Sequence, residues 1–222
     1  GEMLVCPASV GVTSTSGREV GVTDLLREAD LALYRAKDSG RDRYVVFDDV
    51  LRARAQSRHR AERQLRQALE QNRLALQYQP IVDFNNGRIV GAEALVRLRE
   101  EVGDRLLGPD EFIDVAEDTG LIVQIGQWVL DTACAQLARW QQSAATRHLS
   151  IAVNVSARQF RQADFVSLVR SAIERAGADP SRLKLELTES AILDDLDQSV
   201  TRMNQLRKLG IQFALDDFGT GY

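Results

Sequence analysis

The chain has 222 residues, 44% of them hydrophobic and 27% charged, with a formal net charge of −4. These proportions belong to a folded globular protein with a substantial core, which excludes disordered and fibrous classes, and the acidic balance argues against a dedicated duplex-DNA binder. Cys6 and Cys134 lie far apart, and with His59 and His148 they form no CxxC or Cys/His pattern, so neither a disulfide scaffold nor a zinc module is expected. No apolar run approaches the roughly 20 residues that span a bilayer, and the N-terminus lacks a signal-peptide pattern. A cytoplasmic chain with no membrane segment of its own is the expectation. Because Gly1 leads almost at once into a strand pattern, it reads as an internal segment of a longer protein.

Residues 1–49 predict a small α/β unit. The strand MLVCPASVGV is followed by the turn TSTSGRE, a helix near Thr23–Ser39 and the short strand RYVVF. Thr23 is the expected cap of that helix, Asp24 sits in its first turn and Gly40 ends it. Residues 50–64 open an arginine-rich stretch. Between Val50 and Gln77 stand Arg52, Arg54, Arg58, Arg60, Arg63, Arg66 and Arg73 against Glu62 and Glu70, without Gly or Pro. With Leu65, Ala68, Leu69, Leu74 and Leu76 at near-helical intervals, this predicts one helix between two domains. A solvated or docking face and a phosphate-binding face both fit its charge.

From Leu76 the pattern is strand, Asn85-Asn86-Gly87 turn, strand, which suits a tight antiparallel hairpin. Pro109-Asp110-Glu111 opens a helix that Gly120 ends, and a longer helix runs from Ile125 to about Gln142, with Trp128, Leu130, Cys134, Leu137 and Trp140 as core. Strands at 149–155, 183–188 and 211–217 alternate with helices at 164–176 and 195–208. Apolar strands alternating with amphipathic helices predict parallel strands buried on both faces, in an α/β barrel or a doubly wound sheet.

Each apolar run ends in an oxygen donor: Glu93, Asn154, Glu186 with Glu189, and Asp216 with Asp217. Asn154, Glu186 and Asp216 recur at intervals of 32 and 30 residues, about the length of one strand–helix–strand unit, and Glu93 precedes Asn154 by about two such lengths. Functional groups in such folds gather at the carboxyl ends of strands. Carboxylate and amide oxygens without His or Cys select hard cations, Mg²⁺ or Mn²⁺. Any one of these acids alone could cap a helix or pair with a base; several in register point to a metal pocket. The Asp216-Asp217 pair could reach two ions, the geometry of two-metal phosphoryl chemistry. Arg97, four residues past Glu93, suits bidentate contact with a phosphate or a surface ion pair.

The stretch from Leu65 to Tyr222 resembles the EAL family of cyclic di-GMP phosphodiesterases. YQPIVD (78–83), GAEALVR (91–97), FIDVAEDTGLI (112–122), NVSARQF (154–160), ELTES (186–190) and DDFGTGY (216–222) carry the resemblance, in the family's order. It implies a modified TIM barrel with an antiparallel first strand, here truncated after the fifth barrel strand. By position, Glu93, Asn154, Glu186 and Asp216 would be metal ligands and Asp217 would serve a second metal. Gln79 and Arg97 would contact cyclic di-GMP, and Glu189 would steady a loop beside the site. Of these, Glu93, Asp216, Asp217 and Glu189 are the expected catalytic set. Two Mg²⁺ or Mn²⁺ ions, hydrolysis to the linear dinucleotide and a homodimer through the EAL domain are implied, with no nucleic-acid polymer as partner.

Residues 1–49 resemble the C-terminal part of a GGDEF, or diguanylate cyclase, domain through ASVGVT (8–13) and ADLALYRAKDSGRDRY (29–44). Lys37 and Arg41 match phosphate-binding positions of that family, and at i, i+4 helical spacing they could face one anion. The glycine-rich signature that names the domain is absent from this chain, so no cyclase activity is expected of it. The family's later lysine and glutamate would lie beyond Tyr222, which predicts little activity in the isolated chain. It also predicts an unpaired, aggregation-prone edge at Ile211–Asp217. A receptor that binds cyclic di-GMP without hydrolysing it is the alternative; an unrelated metal-dependent barrel fits the carboxylate spacing but not YQPIVD or DDFGTGY.

Overall fold

The computed structural model describes residues 7–15, 20–101, 103, 105–193 and 195–216. Two compact units emerge, Gly1–Arg63 and Gln64–Tyr222. In the first, β1 (Val10–Val12) pairs in parallel with β2 (Tyr44–Val46), and α1 (Val22–Asp38) connects them. Ala32 and Ala36, four apart on α1, are fully buried, so the helix packs by its small-residue face. Glu28 is also buried. Its carboxylate accepts from the Thr13 hydroxyl at 2.7 Å and from Arg52 at 2.6 Å, so the charge is compensated where it leaves water. Thr23 does not cap α1: the helix begins at Val22 with Gly21 as its cap, and the first-turn Asp24 supplies the favourable charge there.

The long helix α2 (Asp49–Glu70) starts in the first unit and ends in the second, where Leu65 and Ala68 join the core. A hairpin follows. β3 (Leu74–Val82) runs antiparallel to β4 (Ile89–Arg99), and the turn between them is held by Asp83, which accepts from the Asn85 backbone, the Asn86 side chain and the Gly87 backbone. Beyond it come β5 (Leu106–Leu107), a short 3-10 turn at Pro109–Glu111, α3 (Ile113–Thr119), α4 (Ile122–Gln141), β6 (Ser150–Val155), α5 (Ala157–Phe160) and α6 (Phe165–Ala176). A second 3-10 turn at Pro180–Arg182 leads to β7 (Leu183–Thr188), α7 (Glu189–Leu193), α8 (Leu196–Arg207) and β8 (Gln212–Asp216).

The sheet order is β3-β4-β6-β7-β8, with β5 along the end of β4. Every pair from β4 to β8 along that order is parallel, and the first strand alone is reversed along it. The pleat sends alternate residues to opposite faces. On the helix-covered face lie Ala94 and Leu98 of β4, Ile151, Val153 and Val155 of β6, and Leu183, Leu185 and Leu187 of β7, all within the hydrophobic core. Each fully buried leucine contributes roughly 1.5–3 kcal/mol of transfer free energy. Leu130, Cys134 and Leu137 of α4 complete this layer as expected, whereas Trp128 and Trp140 are only partly buried against it. Trp140 meets Tyr78 with ring centroids 5.8 Å apart. Burial pushes the Tyr78 phenol above its ordinary value, with Arg139 opposing.

The expectation of strands buried on both faces holds for β6 over Ile151, Ala152 and Val153, and not for β7. Along β7 buried and half-exposed positions alternate, so Lys184, Glu186 and Thr188 share the less buried face, opposite the hydrophobic core.

Candidate functional site

That second face carries the chemistry. Glu93 lies opposite Gln79 on β3 and Ala152 on β6; two residues further along β6, Asn154 lies opposite Glu186 on β7; two residues beyond Glu186, Thr188 lies opposite Asp216 on β8. The row therefore climbs by two residues between alternate strands, as tilted, staggered strands of a curved sheet require. Ala152 beside Glu93 and Ala214 beside Glu186 keep the same face open next to each carboxylate. Asn154 Nδ2 donates to Glu93 Oε1 at 2.7 Å, joining two strands whose partners are 61 residues apart in sequence.

Glu93 and Glu186 do not sit at strand ends. Glu93 is in the middle of β4, because that strand continues as a hairpin with β3 after its parallel pairing with β6 stops at Ala94. It marks the carboxyl edge of the parallel part. Glu186 is followed on β7 by Leu187 and Thr188. Asp216 ends β8; its side chain, and the whole of Asp217, lie outside the described residues. Cys6 lies outside them as well. Among the described residues no three Asp, Glu, His or Cys side chains cluster as a metal group, since the donor beside Glu93 is an amide.

Arg97 shares the face of Glu93. Its Nε donates to Gln77 Oε1 at 2.8 Å and its Nη1 to the Val96 carbonyl at 2.9 Å. Gln77 was not legible as a site residue, although the period of β3 already places it on the same face as Gln79. Glu189 opens α7 directly after β7 and is half-buried. In the first unit, Lys37 and Arg41 do not share a helical face. The helix ends at Asp38, Gly40 turns the chain with φ of 105°, and Arg41 follows at φ of 58° with its N–H on the Ala36 carbonyl.

A cavity of about 260 Å³ opens between this row and helices α3 and α4. Ile113, Ile125 and Val129 make its apolar floor, and Glu117, Asn154 and Glu186 stand among its polar lining. Burial raises the Glu117 carboxyl above its usual range, while the Ser156 hydroxyl, Arg158 and Arg161 oppose that shift. Glu117 was not singled out from the FIDVAEDTGLI motif that contains it. On a short helix it reads as a surface acid until α3 is seen to lie over the carboxyl ends of the strands.

Residues 62–222 match the EAL domain family. The chain belongs to that family. It is 44% identical over 215 residues to the bifunctional diguanylate cyclase/cyclic di-GMP phosphodiesterase MucR of Pseudomonas aeruginosa, a match covering 97% of this chain and 31% of MucR. It is also 41% identical over 222 residues to the cyclic di-GMP phosphodiesterase NbdA of the same organism, covering 100% of this chain and 28% of NbdA. The chain thus spans under a third of the length of these relatives. Among solved structures, the MucR phosphodiesterase in complex with c-di-GMP superposes with a TM-score of 0.69 at 46% identity, over 73% of this chain and 65% of that one. The EAL enzyme Bd1971, with cAMP and cyclic di-GMP bound, gives 0.73 at 30% identity, over 93% and 54%. The EAL-domain sheet described above is thus TIM-barrel-like, and among the described residues no helix is long and apolar enough to cross a membrane.

Proposed function

We propose that the EAL domain of this chain serves the hydrolysis of one phosphodiester bond of cyclic di-GMP, releasing the linear dinucleotide. The observation that carries this reading is the row Glu93–Asn154–Glu186 on the less buried sheet face, with Asn154 bonded to Glu93, in a member of the EAL family. These oxygen donors fit a hard divalent ion such as Mg²⁺ or Mn²⁺, and Asp216 and Asp217 would complete a two-ion set. Bound there, two such ions would supply Lewis-acid polarisation of the phosphate and a low-pKa water.

The chain's own residues have separate tasks. Arg97, already held by Gln77, presents a guanidinium on the face where a phosphate would lie, pre-oriented for charge-assisted hydrogen bonds. Gln79, opposite Glu93 on β3, would contact the dinucleotide. Ile113, Ile125 and Val129 give the cavity beside Asn154 and Glu186 an apolar lining. Glu189, on the first turn after β7, would steady the adjoining loop. The resemblance of residues 1–49 to a GGDEF domain accords with the parallel β1-α1-β2 unit and with the bifunctional relative that aligns with nearly the whole chain.

The test uses the gene product that carries this chain. With Mn²⁺, it should release linear dinucleotide from cyclic di-GMP, and Glu93→Ala should abolish release while leaving the fold intact. Tight cyclic di-GMP binding without turnover would assign it to the receptors instead.

A further inference from the structure

The turn that follows β6, two residues past Asn154, is fastened to α3. Arg158, in the short helix α5, sends Nη1 to the backbone carbonyl of Glu117 at 2.6 Å, across 41 residues of sequence. The same guanidinium lies over Gly120, the residue that ends α3 at φ of 81°; a Cβ there would come within 3.1 Å of Arg158 Nη2. Ser156, the cap of α5, accepts from the Gln159 backbone N–H at 3.0 Å, and its hydroxyl also bonds to the Glu117 carboxyl. Glu117 is thus held through its backbone by Arg158 and through its side chain by Ser156. Both contacts fall within four residues of Asn154. At the other end of the same strand, Arg182 Nη1 donates to the His148 carbonyl at 2.8 Å, so β6 is tied down at both ends by an arginine on a backbone oxygen.

We propose that Arg158 is a positioning residue: by latching the turn after β6 to Glu117 and over Gly120, it sets the place of Asn154 so that its amide meets Glu93. The inference rests on the reading of Glu93 and Asn154 as metal-binding groups, and it deepens that reading. Asn154 is the penultimate residue of β6 and lines the cavity, so its amide depends on how the turn that follows the strand is restrained. The latch supplies that restraint without touching the ion. Outer contacts of this kind typically change metal affinity by about 10–100-fold when removed.

The experiment compares Arg158→Ala, Arg158→Lys and Arg182→Ala with the unsubstituted chain, by Mn²⁺ titration followed by EPR and by the NMR signal of the Asn154 side-chain amide in metal-free protein. Arg158→Ala should weaken Mn²⁺ binding by about tenfold and move the amide signal toward that of an exposed asparagine. Arg158→Lys, which keeps a donor for the Glu117 carbonyl, should restore part of both. Arg182→Ala loses a similar bond and should lower the thermal midpoint comparably while moving neither readout. An unshifted Asn154 amide in Arg158→Ala, or equal effects from Arg182→Ala, overturns the proposal. If the unsubstituted chain binds no Mn²⁺ while the amide shifts as expected, the latch stands and the metal reading fails.

Discussion

The two faces of one sheet do different work with alternate residues of the same strands. On β7, Leu183, Leu185 and Leu187 are fully buried against helices, while Lys184, Glu186 and Thr188 look the other way and stay half-exposed. On β6 the division is less even: Ile151, Val153 and Val155 join the core, Ala152 is buried on the opposite face, and Asn154 is exposed. The period of two lets stability and chemistry be written into adjacent positions with little interference. Substitutions on one face should therefore be separable from those on the other.

The sharpest break would come from Glu93→Ala. Turnover of cyclic di-GMP by the gene product should fall by more than about a hundredfold, beyond the range of outer contacts, with a thermal midpoint close to the unsubstituted value. Large unfolding would show that Glu93 serves the fold. Next in size is Leu185→Ala on the covered face, which should cost about 2–5 kcal/mol in urea denaturation and leave activity per folded molecule unchanged. A loss of specific activity in the folded fraction would mean the faces are coupled.

Cys134 offers a smaller effect on the covered side. Burial, with Asp131 adding to it, pushes its thiol up to about 12 from 9.0. Between those values the folded chain keeps a proton that the unfolded chain releases, so stability should fall as pH rises through that window. Cys134→Ala should flatten the decline, measured as urea midpoints at pH 8 and 10.5; an unchanged slope would remove Cys134 as its source. The smallest effect concerns Glu117 beside the cavity. Its raised carboxyl means that stability falls as pH rises from the usual carboxylate value of 4.5 through the raised one. Glu117→Gln should lose that dependence and keep a partner for Ser156, so thermal midpoints at pH 4.5 and 7 should draw together.

Much of this was legible in the residues. Asn85-Asn86-Gly87 announced the hairpin, and the spacing from Asn154 to Asp216 announced parallel strands on helical crossovers, although each crossover holds a short helix besides the one expected. The alternation in LKLELT was there to be read too, but an apolar run in a parallel sheet argued for burial on both faces, which holds along Ile151–Val153 of β6 and not along β7. Short pieces such as β5, α5 and α7 are below the length at which a period can be recognised. Thr23 looked like a cap because its type is right, yet the chain enters the helix two residues earlier, at Gly21. Gln77 and Glu117 were missed for a different reason: their meaning depends on partners 20 and 41 residues away, Arg97 and Arg158. Local pattern reports which face a residue takes, and only the assembled sheet reports what stands opposite.

The central claim is that Glu93, Asn154 and Glu186 form one cation site on the less buried face. Anomalous diffraction from crystals of the protein grown with Mn²⁺ tests it most directly. The account predicts a manganese peak at this row of side chains, lost in Glu93→Ala crystals. A peak elsewhere, or none at the row while cyclic di-GMP is bound, would contradict it.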